Sequence, residues 1–159
     1  MIVVLMGVSG AGKTTIGERL AQRLGWPLIE GDDYHPAANV AKMAAGIALE
    51  DEDRWPWLDA LNRRIRGERD AVVTCSALKE SYRQRLLSGI ADARIVYLHA
   101  PKAVIAARVV ARKHRYMPAS LLDSQFATLE PPAAAIAVDV SGEPEDCVSE
   151  IVAALGLGL

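Results

Sequence analysis

Gly7-Val8-Ser9-Gly10-Ala11-Gly12-Lys13-Thr14 lies between an apolar run, Ile2 to Met6, and a segment of helical period, Lys13 to Leu24. The octet fits G-x-x-x-x-G-K-[ST] at every fixed position, in the strand-to-helix setting that gives the pattern its meaning. Glycines let the backbone wrap closely around phosphate oxygens, so N–H groups of the loop and the helix N-terminus face the anion. Lys13 brings positive charge to the β- and γ-phosphates, and the Thr14 hydroxyl is a ligand type for Mg²⁺. Gly7, Val8, Ser9, Gly10, Ala11, Gly12, Lys13, Thr14 and Thr15 are thus the expected nucleotide contacts, with ATP and Mg²⁺ as expected cofactors.

Outward from this loop, short apolar runs alternate with helix-period segments, which predicts a parallel sheet covered by helices on both faces. Strands are expected at Ile2 to Met6, Pro27 to Glu30, Ala71 to Cys75, Arg94 to Leu98 and Ala134 to Val140. Helices are expected at Lys13 to Leu24, Trp55 to Ile65, Lys79 to Leu87, Lys102 to Arg112 and Glu145 to Leu155. Gly31 to Arg54 is polar and carries no clear period. Arg112 to Pro132 has the length and charge of a mobile lid.

At 159 residues, 51% apolar and 24% charged, the chain predicts one globular domain over residues 1–159. The net charge of −2, without blocks of like charge, argues against a nucleic-acid surface, so an anionic substrate would need a local basic cluster. Cys75 and Cys147 form neither a metal-ligand spacing nor a disulfide framework. The apolar start is too short for a signal peptide, and no run approaches the roughly 18 residues of a membrane span. A cytoplasmic protein without membrane contact is the expectation.

A guanine-reading N-K-x-D is absent, and Ala71 to Cys75 ends in Cys-Ser where motor-type ATPases carry an Asp. Ile136 to Asp139 comes too late to replace it. Small-molecule and nucleotide kinases remain, and these place a carboxylate after the second strand. Gly31-Asp32-Asp33-Tyr34-His35-Pro36 supplies one, at the sheet edge where open α/β folds bind ligands. Such a carboxylate can accept a hydroxyl proton or hold water on Mg²⁺.

Further blocks continue the pattern: Gly31-Asp32 with His35-Pro36, Asn39 with Lys42-Met43, Asp51 to Arg54 with Pro56-Trp57-Leu58, and Cys75 to Lys79 with Tyr82-Arg83. Arg108, Arg112, Met117-Pro118, Leu121-Leu122, Ser124-Gln125 and Thr128 to Glu130 complete it. With these blocks the chain resembles bacterial gluconokinase over most of its length. The resemblance implies a three-layer, nucleoside-monophosphate-kinase-like α/β fold with a five-stranded parallel sheet and a helical lid over about 112–132. It also implies ATP-dependent phosphorylation of D-gluconate, with Mg²⁺, in a homodimer.

The same resemblance suggests roles. Lys13, Asp32 and Arg112 are the catalytic candidates, with Asp32 as base and, beside Thr14, as metal-site candidate; Asp33 is the weaker carboxylate. Gluconate offers a carboxylate and a run of hydroxyls, so fork-shaped cations plus amide and imidazole groups suit it. Arg54, Lys79 and Arg83 are candidates for the carboxylate, and His35 and Gln125 for the hydroxyls. Arg108 and Arg112, four residues apart on one helix face, are candidates for the phosphates. Lys113-His114-Arg115-Tyr116 departs from the family's Gly-His-aromatic order, leaving open whether His114 or Arg115 makes the lid contact. Trp55 and Trp57 read as packed aromatics under the substrate region. The alternatives are a kinase for another small hydroxy acid such as shikimate, or a nucleotide-binding module without catalysis.

Overall fold

In the computed structural model, which describes residues 1–111 and 121–157, β1 (Ile2–Met6) sends successive side chains to opposite faces of the sheet. Val3 and Leu5 enter one apolar cluster; Ile2, Val4 and Met6 enter another. All five are buried, as a strand covered on both faces requires. β1 is the centre of a five-stranded sheet ordered β2-β3-β1-β4-β5, with β2 Leu28–Glu30, β3 Ala71–Thr74, β4 Ala93–His99 and β5 Ile136–Asp139. Every pairing is parallel: Val4, for example, stands opposite Val73 on one side and Ile95 on the other.

The helices form the outer layers. On the Val3/Leu5 face, α1 (Lys13–Leu24) contributes Ile16 and Leu20, α5 (Lys102–Ala111) Ile105 and Val109, and α7 (Pro144–Leu155) Val148 and Ile151. On the opposite face, α3 (Asp51–Arg66) contributes Trp57, Leu58, Leu61 and Ile65, and α4 (Glu80–Leu86) Tyr82 and Leu86. Burying each such large side chain contributes roughly 1.5–3 kcal/mol before the entropy of ordering it is subtracted. The three-layer α/β expectation is met.

Two segments differ from the sequence expectation. Gly31 to Arg54 folds into a 3-10 turn (Gly31–Tyr34), α2 (Ala37–Ala44) and the first turn of α3. α2 buries only Asn39 and Met43, one helical turn apart, so it leaves no apolar period to read. α3 starts at Asp51 rather than Trp55. Asp51, Glu52 and Asp53 suit the positive end of a helix dipole, and the Asp53 carboxylate accepts the Glu50 N–H at 2.9 Å. Pro56 lies in the second turn of α3, where it lacks the N–H that would reach the Glu52 carbonyl four residues earlier.

Within the stretch expected as a lid, α6 (Leu122–Thr128) is a short helix whose entry, Leu121 and Leu122, is buried. Arg112, His114 and Arg115 lie outside the described residues, as does the first half of the expected lid. Among the described residues no helix is long and apolar enough to cross a membrane.

Candidate active site

The loop after β1 needs its glycines for two separate reasons. Gly12, the residue before α1, is left-handed at φ 86°, which opens the helix N-terminus toward the loop. Gly10, at φ 84°, lies so close to α5 that a Cβ there would meet Val109 Cγ2 at 2.8 Å. Lys13 Nζ curls back over the loop, donating to the carbonyls of Gly7 (2.8 Å) and Val8 (3.0 Å). Burial pulls the Lys13 pKa down, while Asp32, Cys75 and Glu30 push it back up.

Asp32 is placed by contacts of its neighbour. A Cβ on Gly31 would stand 2.2 Å from the Thr74 carbonyl oxygen, so only glycine fits, and Trp57 Nε1 donates to the Gly31 carbonyl at 2.8 Å. The chain then turns Asp32 into a cavity shared with Lys13, Thr14, His35, Arg54 and Gln125. With Ser9, Gly10 and Gly12, nine of the residues expected at the site line this cavity. Asp33 is exposed and does not line this cavity.

His35 stacks on Trp57 with ring centroids 4.0 Å apart, and its Nε2 lies 3.9 Å from Asp32 Oδ1. Burial lowers its pKa to about 4, Asp32 opposing and Arg54 assisting, so the imidazole is neutral at neutral pH. Trp57 is thus a packed aromatic, as expected, and also the platform for His35.

The residue that sequence reading missed is Glu30, the last of β2. Its Oε2 accepts from Thr14 Oγ1 at 3.1 Å and from Thr74 Oγ1 at 2.9 Å, while its buried Oε1 has no hydrogen-bond partner among the described residues. An orphaned carboxylate oxygen beside the loop hydroxyl is the donor chemistry of a hard cation. Among the described residues no three His, Cys, Asp or Glu side chains form a metal cluster. A carboxylate beside a hydroxyl suits Mg²⁺, which keeps several waters and takes one or two carboxylates plus phosphate oxygens. A charged residue closing an otherwise apolar strand was the available signal.

Arg54 Nη1 donates to the Leu49 carbonyl (2.8 Å) and to the Tyr82 hydroxyl (2.9 Å), which orients its guanidinium on the cavity wall. Gln125, on α6, reaches the phosphate loop: its Oε1 accepts the Ser9 N–H at 2.6 Å. The Ser9 hydroxyl is buried without a partner among the described residues. Lys79 stands outside the lining, 3.8 Å from Asp51.

Arg83 is brought elsewhere. It is 3% exposed, outside the cavity lining, and donates to the carbonyls of Ala77 (2.8 Å) and Glu130 (2.9 Å). Its two carbonyl partners belong to the loop after β3 and the segment after α6, so it joins them where a substrate contact was expected. Cys75, under the site, is fully enclosed and its thiol is pushed up to about 12 by burial, ahead of the Asp32 charge, so it is no nucleophile.

On the other side of the loop a second cavity is lined by Ala11, Gly12, Thr15, Ile16 and Arg108 together with Val140, Gly142 and Pro144. Here Arg108 donates to the Val140 carbonyl. The two cavities share Gly12.

The family described as AAA domain matches residues 2–132. A gluconokinase of Gluconobacter oxydans is 45% identical, over 94% of this chain and 88% of its own. A solved gluconokinase of Sinorhizobium meliloti superposes with a TM-score of 0.89 at 45% identity, covering 98% of this chain and 91% of that one. Shikimate kinase of Bacteroides thetaiotaomicron shares the fold, with a TM-score of 0.71 at 18% identity and 98% of both chains covered.

Proposed function

The chain belongs to the gluconokinase family, and we propose from that premise that it transfers the γ-phosphoryl group of ATP to a hydroxyl of D-gluconate, giving 6-phospho-D-gluconate and ADP. The observation that carries the reading is the single cavity in which phosphate-loop residues Lys13 and Thr14 face Asp32, His35, Arg54 and Gln125. Phosphoryl transfer needs positioning and charge stabilisation more than covalent chemistry, and this cavity supplies both kinds of group.

In this reading the loop from Gly7 to Thr15 takes the phosphates through its N–H groups, and Lys13 leaves the Gly7 and Val8 carbonyls to meet them. The second cavity, beside Thr15 and Arg108, takes the nucleoside end. Mg²⁺ would be held by Thr14 with Glu30 and Asp32 nearby, and when bound supplies neutralisation of phosphate charge. Asp32 accepts the proton of the attacking hydroxyl. Arg54, its guanidinium fixed by Leu49 and Tyr82, pairs with the gluconate carboxylate. Neutral His35 and the Gln125 amide take hydroxyls. Lys79 steers the anion from the rim, and Arg112 joins Arg108 on the phosphates. A cytoplasmic homodimer, folded as one domain over 1–159 with a lid over about 112–132, belongs to the same proposal.

A coupled ADP-release assay with Mg-ATP against gluconate, shikimate and several sugar acids tests it. Gluconate-dependent turnover is expected. Turnover on another acid with gluconate inert, or nucleotide binding without turnover on any acid, would overturn it.

A further inference from the structure

Asn39 is 3% exposed and its side-chain nitrogen faces two acceptor positions. One is the Asp53 backbone carbonyl, at 2.8 Å; the other is His35 Nδ1, at 3.2 Å. A carbonyl oxygen only accepts, so the Asn39 atom facing it must be the NH₂ group and not the amide oxygen. The second proton of that NH₂ then points at His35 Nδ1, which must accept it and carry no proton. In a neutral imidazole the remaining proton sits on Nε2, the nitrogen 3.9 Å from Asp32 Oδ1.

Asp53 is itself held in place. Its carboxylate accepts from Lys42 Nζ at 2.9 and 3.0 Å and from the Glu50 N–H at 2.9 Å. The stack on Trp57 fixes the plane of the His35 ring. We infer that Asn39 is a positioning residue: by fixing His35 as an Nε2–H donor, it orients the attacking hydroxyl toward Asp32. A hydroxyl oxygen placed between the two accepts from His35 Nε2–H and directs its own proton at the Asp32 carboxylate. The alternative tautomer would offer that hydroxyl two acceptors and a single proton. The inference rests on the roles proposed above for Asp32 and His35, although the tautomer itself needs no substrate to be read.

Nitrogen-15 NMR of histidine-labelled protein without substrate, at neutral pH, reads the tautomer directly. An unprotonated Nδ1 and a protonated Nε2 are expected for His35, assigned by its loss in His35→Gln; the reverse would overturn the inference, whatever the substrate proves to be. Asn39→Ala should mix the tautomers and lower kcat/KM for gluconate by roughly 10–100-fold, mainly in kcat, with KM for ATP little changed. Asn39→Asp, whose carboxylate favours Nδ1–H, should fall further. An Asn39→Ala protein of native circular dichroism with unaltered tautomer and unaltered kcat/KM would contradict the assignment, as would full gluconate turnover by His35→Gln. If both Asn39 variants fail to fold, the native spectrum still decides.

Discussion

Gln125 Oε1 accepts the backbone N–H of Ser9 at 2.6 Å, a contact between α6 and the phosphate loop that spans 116 residues of sequence. It ties an amide of the cavity wall to the loop proposed to hold the phosphates. Replacing it by Ala removes this hydrogen bond and a cavity-wall group. Net values for such bonds of about 0.5–1.5 kcal/mol predict that Gln125→Ala raises KM for gluconate roughly 3–10-fold. Calorimetric titration with a non-hydrolysable ATP analogue should show a smaller change in Kd. A loss of nucleotide affinity with unaltered gluconate KM would assign the residue to the nucleotide.

Glu30 yields a prediction of a different kind. Its Oε1, without a hydrogen-bond partner among the described residues and beside the Thr14 hydroxyl, is the feature on which the proposed magnesium site rests. Glu30→Gln should raise the Mg²⁺ concentration for half-maximal rate by roughly 10-fold, in the range of losses seen when metal-site partners are removed. ADP titrations should show the same change: affinity measured with excess EDTA unaltered, affinity measured at limiting Mg²⁺ weakened. Equal effects under both conditions would place Glu30 in packing instead.

Arg83 should affect stability more than catalysis. Its guanidinium is buried and supports the carbonyls of Ala77, itself at a positive φ of 42°, and Glu130. Arg83→Met leaves those acceptors unpaired, and a destabilisation of about 2–4 kcal/mol is expected in urea unfolding. Where the variant is folded, its gluconate KM should lie within about 3-fold of the native value, less than the loss of a direct charged hydrogen bond would give. A KM rise of 100-fold with unaltered stability would restore the role that the sequence suggested.

These residues show what could be read from the chain and what could not. β1, the loop and α1 were legible because periodicity, glycine spacing and helix ends agree there, and α1 ends at Leu24, before a left-handed Gly25, as expected. Asp32 was legible because the chain must leave β2 at the sheet's ligand-binding edge. α2 and the start of α3 were not, since a polar helix held by Asn39 and Met43 has no apolar stripe. Arg83 and Arg54 look alike in sequence. Only packing turns one into the interior and the other onto the cavity wall. Glu30 was hidden for the opposite reason, as its neighbour Asp32 already met the expectation of a carboxylate.

His35 makes folding sensitive to acid. Its ordinary pKa of 6.5 falls to about 4 in the folded protein, chiefly through burial. Between those values the unfolded chain binds a proton that the folded one does not. Stability therefore rises with pH across this window and is lost as pH falls from about 6.5 toward 4. The loss is at most about 3 kcal/mol for this group. Urea midpoints at pH 7 and pH 5 check it: the native protein should lose more than His35→Gln does. Equal losses would contradict the enclosure of the ring.

In the proposed mechanism Asp32 accepts the hydroxyl proton of gluconate as the γ-phosphoryl group leaves ATP. The most direct measurement is gluconate-dependent ADP release by Asp32→Asn beside the native protein at saturating Mg-ATP. Brisk native turnover is expected, with a loss on the order of 10²–10⁴ in kcat for the variant and nucleotide affinity retained. An Asp32→Asn protein that turns gluconate over at the native rate would contradict it.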